Sequence, residues 1–355
     1  MITKMPFETA VKDRFVAELR RNLFEQHRSF LSNPLLLSIM LVTYGDVAHI
    51  PNKLSVFYEQ AYESLFQKHD ALKSGYQRQR LTELDVREFA NVFSAFSLLS
   101  FDAREFEFTR MRALELVEQS KRLSLLDYKA EEFLKDSVQA VCLMVEEGLQ
   151  VTFAHRSFQE FFAARFIQQA PPEHKLRLIE RFRDTMRSDA VIQLLFEMDR
   201  NSVEKVVLLP ALASFRSELG FKKSLTTSQY LKALRQVYSA FNVYNSTKVR
   251  DSVSATVRPG LLFDVVMFVE TRYLQSRQWQ TKEPSRPLGE LLRSEFGGDS
   301  VKSSDLTEQS ELLRAMRDGS VFWGKELFEA VFDVEDMIRA EHAQSKLSLQ
   351  ELLGV

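Results

Sequence analysis

The spacing of apolar residues changes once in this sequence, and that change limits what the chain can fold into. Apolar positions three and four residues apart predict helices over about 82–100, from Thr109 onward and over 129–139. Over 141–153 the apolar residues alternate instead, on both sides of a Glu-Gly pair, which predicts two antiparallel strands joined by a tight turn. Three helices followed by a hairpin is the element order of a winged helix, in which the hairpin is the wing.

The composition predicts a helical protein with a large aromatic core. Of 355 residues only 11 are Gly and 9 are Pro, which argues against an all-β or low-complexity chain. The 29 Phe residues require a large core to bury them. We therefore expect a mainly α protein, with a helical domain, a winged helix of three helices and a β-hairpin wing, and a C-terminal all-α region that suits a solenoid-like array.

Proline and glycine indicate where the chain divides. Pro171 and Pro172 mark the clearest domain boundary, because a helix does not continue through them. Pro, Gly and Ser are concentrated in 281–310, which predicts a loop or linker. The predicted segments are a helical domain (1–80), the winged-helix domain (81–170), a second helical domain (171–280), the loop or linker (281–310) and the C-terminal helices (311–355).

Two helix starts are predicted from capping boxes, in which a short polar side chain and an acidic side chain three residues later satisfy the first backbone N–H groups. Thr82 with Asp85 predicts one such start, and Ser157 with Glu160 predicts another directly after the hairpin. The second helix carries one apolar stripe of Phe158, Phe161, Phe162 and Phe166. We expect this stripe to anchor the helix in the winged-helix core.

The sequence lacks the short motifs of a self-contained enzyme. It contains no Walker A sequence and no H-E-x-x-H, C-x-x-C or G-x-S-x-G motif, so we expect no catalytic centre in this chain. The single cysteine, Cys142, excludes an intramolecular disulfide. The six histidines lie far apart, and no metal site is expected either.

Charge and hydropathy predict a cytoplasmic protein. The 47 Lys and Arg residues against 49 Asp and Glu residues give a net charge of −2, which provides no bulk attraction to nucleic acid or anionic membrane. The longest apolar runs, 34–42 and 140–145, are shorter than the roughly 20 residues that span a bilayer. The first residues also lack the apolar core of a signal peptide.

Two motifs carry a resemblance to a known family. The first is S-N-P-L-L-L-S-I-M-L-V-T-Y-G at 32–45, and the second is F-A-H-R-S-F-Q-E-F-F-A-A at 153–164. In this order they resemble the NACHT branch of the signal-transduction ATPases with numerous domains (STAND NTPases), the NLR-like proteins. In that family an N-P-L-L-L helix follows the nucleotide-binding core, and the winged helix ends in the second motif. The resemblance covers about residues 1–170.

The resemblance implies two nucleotide-binding residues. His155 matches the winged-helix histidine that reaches the β-phosphate of ADP in the closed state of family members, and a helix N-terminus already favours an anion. Pro34 matches the proline that packs near the adenine ring. By position alone, His155 also suits a structural cap after the wing, and Pro34 also suits an ordinary first residue of a helix.

The resemblance further implies a nucleotide-controlled signalling switch. The P-loop, the acidic magnesium-binding motif and the sensor arginine of the family precede the N-P-L-L-L helix, where this sequence has few residues. ADP or ATP is therefore expected only together with a P-loop NTPase module, on the same chain or a partner chain. The family context adds a protein or other trigger ligand on the C-terminal region, homo-oligomerisation on activation, and antiphage or innate defence.

Two other classes of function fit the same sequence. A winged helix can serve a DNA-binding transcriptional regulator by entering the major groove. However, 129–139 holds three acids beside two lysines, and the predicted wing tip holds Glu146 and Glu147, so specific DNA binding is not expected. The third class is a helical protein-interaction scaffold whose C-terminal region binds a protein.

Overall fold

The computed structural model describes residues 9–20, 34–47, 53–68, 80–245, 251–279, 284–319 and 323–354. Contacts divide the chain into two compact units. The N-terminal unit is Met1–Leu178 with Ser188–Arg200, and the C-terminal unit is Ile179–Arg187 with Asn201–Val355. In the described residues both units are mainly helical with small antiparallel sheets, which confirms the predicted mainly α class.

The N-terminal unit contains the elements around the candidate site. Its helices are α1 (Thr9–Glu18), α2 (Pro34–Val47), α3 (Leu54–Lys68), α4 (Val86–Asp102), α5 (Arg110–Ser124), α6 (Ala130–Gln139), α7 (Arg156–Gln169), most of α8 (Pro172–Phe182) and α9 (Val191–Met198). Its strands are β1 (Glu107–Thr109), β2 (Met144–Glu147) and β3 (Gln150–Phe153). The three helices and the hairpin predicted for 82–153 are present in the predicted order.

Strand β1 is an element that the sequence patterns did not reveal. It pairs antiparallel with β3, so the sheet order is β1-β3-β2, and Phe108 lies opposite Val151. Both of these side chains are buried, but a three-residue strand is too short to show alternation. The predicted turn between β2 and β3 contains Gly148 with a φ of +64°, a conformation that favours glycine.

Aromatic rings fill the space between α3, α4 and α7. Tyr58 of α3 stacks on Phe161 of α7 with ring centroids 5.2 Å apart, and Phe162 meets Phe93 of α4 edge-on at 4.8 Å. Such pairs contribute about 0.5–1.5 kcal/mol each beyond the burial of their area. Phe153 contacts Phe93 as well, which joins the end of β3 to the same core. The rings thereby fix α7 next to the end of the hairpin.

The capping box predicted at Thr82 is wrong, because the box lies three residues later. Asp85 caps α4 by accepting the N–H groups of Arg87 and Glu88, and the Glu88 carboxylate accepts the N–H of Asp85. Thr82 lies before the helix, where its N–H and hydroxyl both donate to the buried carboxylate of Asp136 on α6. Since a buried carboxylate requires such donors, Asp136 fixes the segment that leads into α4.

The C-terminal unit consists of short helices, a second sheet and one long helix. It begins with the last residues of α8 and a 3₁₀ turn at Arg183–Thr185. Its further elements are α10 (Arg200–Val203) apart from its first residue, α11 (Leu209–Leu219), α12 (Thr227–Val237), β4 (Tyr238–Tyr244), β5 (Ser252–Val257), α13 (Leu261–Tyr273), α14 (Leu288–Phe296), β6 (Ser300–Lys302), α15 (Glu311–Asp318) and α16 (Lys325–Leu353). No described helix is both long and apolar enough to cross a bilayer.

The C-terminal region is not all-α, and in that respect the prediction was wrong. Strands β4, β5 and β6 form an antiparallel sheet in the order β5-β4-β6. The apolar spacing over 230–241 suits one helix, but α12 ends at Val237 and β4 begins at Tyr238. The strand register shifts between Tyr238 and Ala240, and both Tyr238 and Phe241 are buried. A bulge of this kind lets residues three apart share one face of a strand, which imitates helical spacing.

The segment 281–310 was predicted as a loop or linker, but its described residues contain α14 and β6. Pro287 directly precedes α14, and Gly297 ends it with a φ of +73°. Proline before a helix and glycine after it are common helix boundaries. The residues that favoured a loop therefore mark the two ends of a short helix.

Buried charged groups connect the helices of the C-terminal unit. A π-helical turn of five residues, beginning at Glu204, joins α10 and α11 into one continuous helix. Glu204 is 2% exposed; its Oε1 accepts the Tyr273 hydroxyl at 2.6 Å, and its Oε2 lies 2.5 Å from Nε2 of His342 on α16. Further along, Nε of Arg216 on α11 donates to the buried carboxylate of Glu335 on α16 at 2.7 Å.

Candidate functional site

His155 lies at the junction between β3 and α7 and caps that helix. Its backbone is extended, and its Nδ1 accepts the N–H of Ser157 at 3.2 Å. The capping box predicted from Ser157 and Glu160 is therefore wrong: the helix begins at Arg156, two residues earlier than that box implies, and the His155 imidazole satisfies a first-turn N–H group. The sequence placed His155 correctly between the hairpin and the helix.

A short hydrogen-bonded chain holds the imidazole in place. The Ser157 hydroxyl lies 2.6 Å from Nδ1 of His155, and the Tyr58 hydroxyl is hydrogen-bonded to the Ser157 side chain. Because Nδ1 accepts the Ser157 N–H, the Ser157 hydroxyl donates to the same nitrogen. Tyr58 is itself buried against Phe161, and burial raises the pKa of its hydroxyl well above 10. A protonated Tyr58 thus anchors this network of hydrogen bonds in the aromatic core.

The electrostatics of His155 favour a neutral ring. Burial lowers the pKa of its imidazole below the ordinary value of 6.5. Because Nδ1 accepts hydrogen bonds, the proton of the neutral ring is on Nε2. Among the described residues, the hydrogen bonds of the His155 ring involve Nδ1 and none involves Nε2. The positive end of the α7 dipole lies beside it, and together they suit an anion.

The other polar residues of the motif have partners within the protein. Arg156 forms an ion pair with Glu160 at 3.0 Å, and its guanidinium lies 4.4 Å from the centroid of the Phe106 ring. Burial raises the pKa of the Glu160 carboxyl, and Arg156 partly opposes this shift. Gln159 is fully buried, and its amide donates to the Ser100 hydroxyl at 2.9 Å. These contacts stabilise the first turns of α7.

Pro34 is the first residue of α2, as the sequence predicted for a helix-start proline. Its side chain lies outside the described part of the structure. The predicted joint role of Pro34 and His155 at a nucleotide therefore stays a prediction. Tyr58 and Ser157 complete the polar network around His155. From the sequence Ser157 was assigned only as a helix cap, and Tyr58 was not singled out because α3 and α7 are far apart along the chain.

The surface that would face DNA in a DNA-binding winged helix carries mixed charge. Lys129 at the start of α6 pairs with Glu132 at 2.7 Å, and Arg110 of α5 bridges Glu131 and Glu146 at 2.5 and 3.0 Å. These pairs neutralise charges of both signs across α6 and the hairpin. No basic surface results here, and binding to phosphate backbones requires one.

Within the described ranges, no three His, Cys, Asp or Glu side chains lie close enough together to hold a metal ion. The arrangement at His155 can donate one hydrogen bond from Nε2 and present a helix N-terminus. Such an arrangement suits an anionic group.

Comparison with known families gives one match, in the part of the chain that carried no recognised motif. Residues 198–353 match a family described as a short NACHT-associated C-terminal domain, family 13. The match covers most of the C-terminal unit but less than half of the chain. It supports a NACHT-associated C-terminal region. No curated protein and no solved structure matches the chain significantly.

Proposed function

We propose that this chain is the regulatory and sensor portion of an NLR-like NACHT ATPase, a nucleotide-controlled signalling switch. Two separate stretches support this proposal. The motifs at 32–45 and 153–164 resemble the NACHT branch, and residues 198–353 match a NACHT-associated domain. Because the stretches do not overlap, they are independent indications of the same partner, a P-loop NTPase module on the same chain or on a partner chain.

In this proposal residues 81–170 form a winged-helix domain that senses the nucleotide. The order helix, strand, two helices and hairpin, with β1 paired to β3, supports that assignment. The observation that carries the function is the geometry of His155, which caps α7 through Nδ1 and leaves Nε2–H at the helix N-terminus. This N–H would donate to the β-phosphate of ADP, with Pro34 beside the adenine ring.

The switch follows from differential affinity. ADP held by both the P-loop module and His155 stabilises the closed state, because a ligand shifts an equilibrium only by its preference for one state. A protein or other trigger bound by the C-terminal unit would favour the open state, nucleotide exchange and homo-oligomerisation. The family resemblance supports a cytoplasmic role in antiphage or innate defence.

The decisive experiment separates the two roles of His155. His155→Ala removes both the cap and the ligand contact, whereas His155→Ser keeps a capping oxygen but cannot reach a phosphate. In the protein assembled with its P-loop module, both variants should shift the closed-to-open ratio by about 10- to 150-fold, which corresponds to a charge-assisted hydrogen bond of about 1.5–3 kcal/mol. ADP retention and signalling without a trigger report this shift.

If His155→Ser retains ADP as tightly as the parent and stays silent, the histidine is only a helix cap. The isolated chain gives a second test. Without a P-loop module it should not hydrolyse ATP and should bind ADP weakly or not at all. Sustained hydrolysis that disappears on His155→Ala would contradict the proposal that ATP hydrolysis requires a separate P-loop module.

The DNA-binding alternative makes an opposite prediction. The paired and acidic charges on α6 and on the hairpin support no specific duplex binding at physiological salt. A binding-site selection on random duplexes measures this directly. Recovery of one preferred site with sub-micromolar affinity would favour a transcriptional regulator over the switch.

A further inference from the structure

The outward face of α5 carries an apolar groove apart from the site at His155. Met111, on the first turn of α5, is 72% exposed, and Leu114 lies half-buried one turn further. Together with Ala130 at the start of α6 they line a groove of about 520 Å³. Methionine is flexible and polarisable, and it is common on surfaces that bind other proteins.

The hairpin turn extends the apolar surface. Thr109, at the end of β1, lies opposite Gln150, the first residue of β3. This register brings Leu149 of the turn, which is 89% exposed, to the same end of α5 as Met111. Arg110 then ties the hairpin, α5 and α6 together through its bonds to β2 and α6. The surface is therefore preformed by three elements.

Carboxylates surround these apolar side chains. Around the groove and the turn, six acids face four bases: Glu115, Glu118, Asp127, Glu131, Glu146 and Glu147 against Arg110, Arg112, Lys121 and Arg122. Several of them already pair with one another. The surface as a whole keeps an excess of two negative charges, which favours a cationic partner and disfavours a phosphate backbone.

We propose that this surface, defined by Met111, Leu114, Leu149 and the surrounding acids, binds a cationic amphipathic helix of a partner protein. Leucine, methionine or phenylalanine of that helix fills the groove, and its lysines and arginines face the carboxylates. A second copy of this surface is a poor occupant, because the two negative surfaces would repel. The proposal does not depend on nucleotide binding or on His155.

Three synthetic peptides of equal length test the chemistry of the partner. One carries a leucine face with lysines and arginines on the other side, one replaces those cations with glutamates, and one replaces the leucines with alanines. Fluorescence anisotropy with the full chain should show binding of the first peptide only. Met111→Glu should weaken that binding by at least about tenfold, and rising salt should weaken it as well.

Leu176→Glu is the matched control, because Leu176 is a comparably placed exposed leucine on α8, 42% exposed and away from the groove. It should leave the affinity unchanged. Glu118→Lys is a second groove variant that should weaken binding of the cationic peptide and improve binding of the acidic one. Circular dichroism and thermal melting confirm that each variant is folded.

Three results would overturn the proposal. Equal binding of the acidic peptide, or an equal loss of affinity in Leu176→Glu, would show that the peptides bind non-specifically. Concentration-dependent self-association that Met111→Glu abolishes would make a second copy the occupant. Competition by duplex DNA at the groove, sensitive to the same substitution, would make the partner a nucleic acid.

Discussion

Helices α7 and α16 both pack phenylalanine rings in their units, but α16 also makes buried charged contacts with the α10–α11 helix. Apart from its ends, α7 is buried along most of its length, and its inner face consists of phenylalanine rings packed on α3 and α4. Helix α16 is buried only as far as Ile338, and beyond that point its described side chains are exposed except for the partly buried His342. Glu335 and His342 of this helix pair with groups on the α10–α11 helix.

The difference teaches where each unit is sensitive. Rings pack without regard to ionisation, so the position of α7 depends mainly on volume and shape. Buried ion pairs are directional, and removal of one partner leaves an uncompensated charge. We therefore expect the position of α7 to respond mainly to lost volume, and the position of α16 to respond to lost charge as well as to lost volume.

The largest expected effect is on the ring-packed helix. Phe161→Ala removes a fully buried ring that stacks on Tyr58, and it should lower the free energy of unfolding by about 3–5 kcal/mol. Chemical denaturation measures the loss, and hydrogen exchange in α4 and α7 localises it. Phe161→Leu keeps most of the volume and should cost less than about 1.5 kcal/mol. Equal losses for both variants would argue against packing as the cause.

A smaller loss is expected from the charge that holds α16. Glu335→Gln weakens the bonds from Arg216 and Arg339, and it should lower the free energy of unfolding by about 1.5–3 kcal/mol. Asp336→Asn is the control, because Asp336 also pairs with Arg216 but its side chain is 64% exposed. Such an exposed pair contributes about 0–1 kcal/mol. Urea titration measures the free energy of unfolding of both variants. Equal losses would show that the buried Glu335 contributes no more than the exposed Asp336.

The smallest effect is a pH dependence at the start of α7. The folded protein lowers the pKa of His155, so the unfolded state binds its proton first as the pH falls below about 6.5. The neutral ring should therefore make its full contribution to the free energy of unfolding above that pH. This contribution should be lost as the pH falls through the pKa that His155 has in the folded protein. His155→Ser should flatten the thermal melting profile between pH 7 and 5. An unchanged slope would show that other groups govern this range.

The fold of the N-terminal unit could be predicted where the pattern was long. The helices over 82–139 and the hairpin follow from periodicity, since each spans enough residues to repeat it. Strand β1 has only three residues, and its partner β3 is about forty positions away, so no local pattern revealed it. In the C-terminal unit, the register shift after Tyr238 gave β4 the spacing of a helix.

The candidate site was predictable in position but not in its contacts. A linear motif located His155, yet the capping role of its Nδ1 depends on where α7 begins, and capping-box rules misplaced that start. Tyr58 reaches Ser157 because the ring packing of α3 on α7 brings them together, a tertiary effect. The buried role of Asp136 likewise depends on the contact of α6 with Thr82.

The π-helical turn in the C-terminal unit has a consequence for rotation about the helix axis. At about 100° per residue, Glu204 and Arg216 would lie about 120° apart around a straight α-helix. A π turn accommodates roughly one extra residue, which turns the following segment back by about 100° and leaves the two positions about 20° apart. Both side chains can then meet α16, where Glu335 and His342 are two turns apart on one face. Deleting a single residue within the turn would leave a regular α-helix in which Glu204 and Arg216 are again about 20° apart, so both contacts with α16 would be kept.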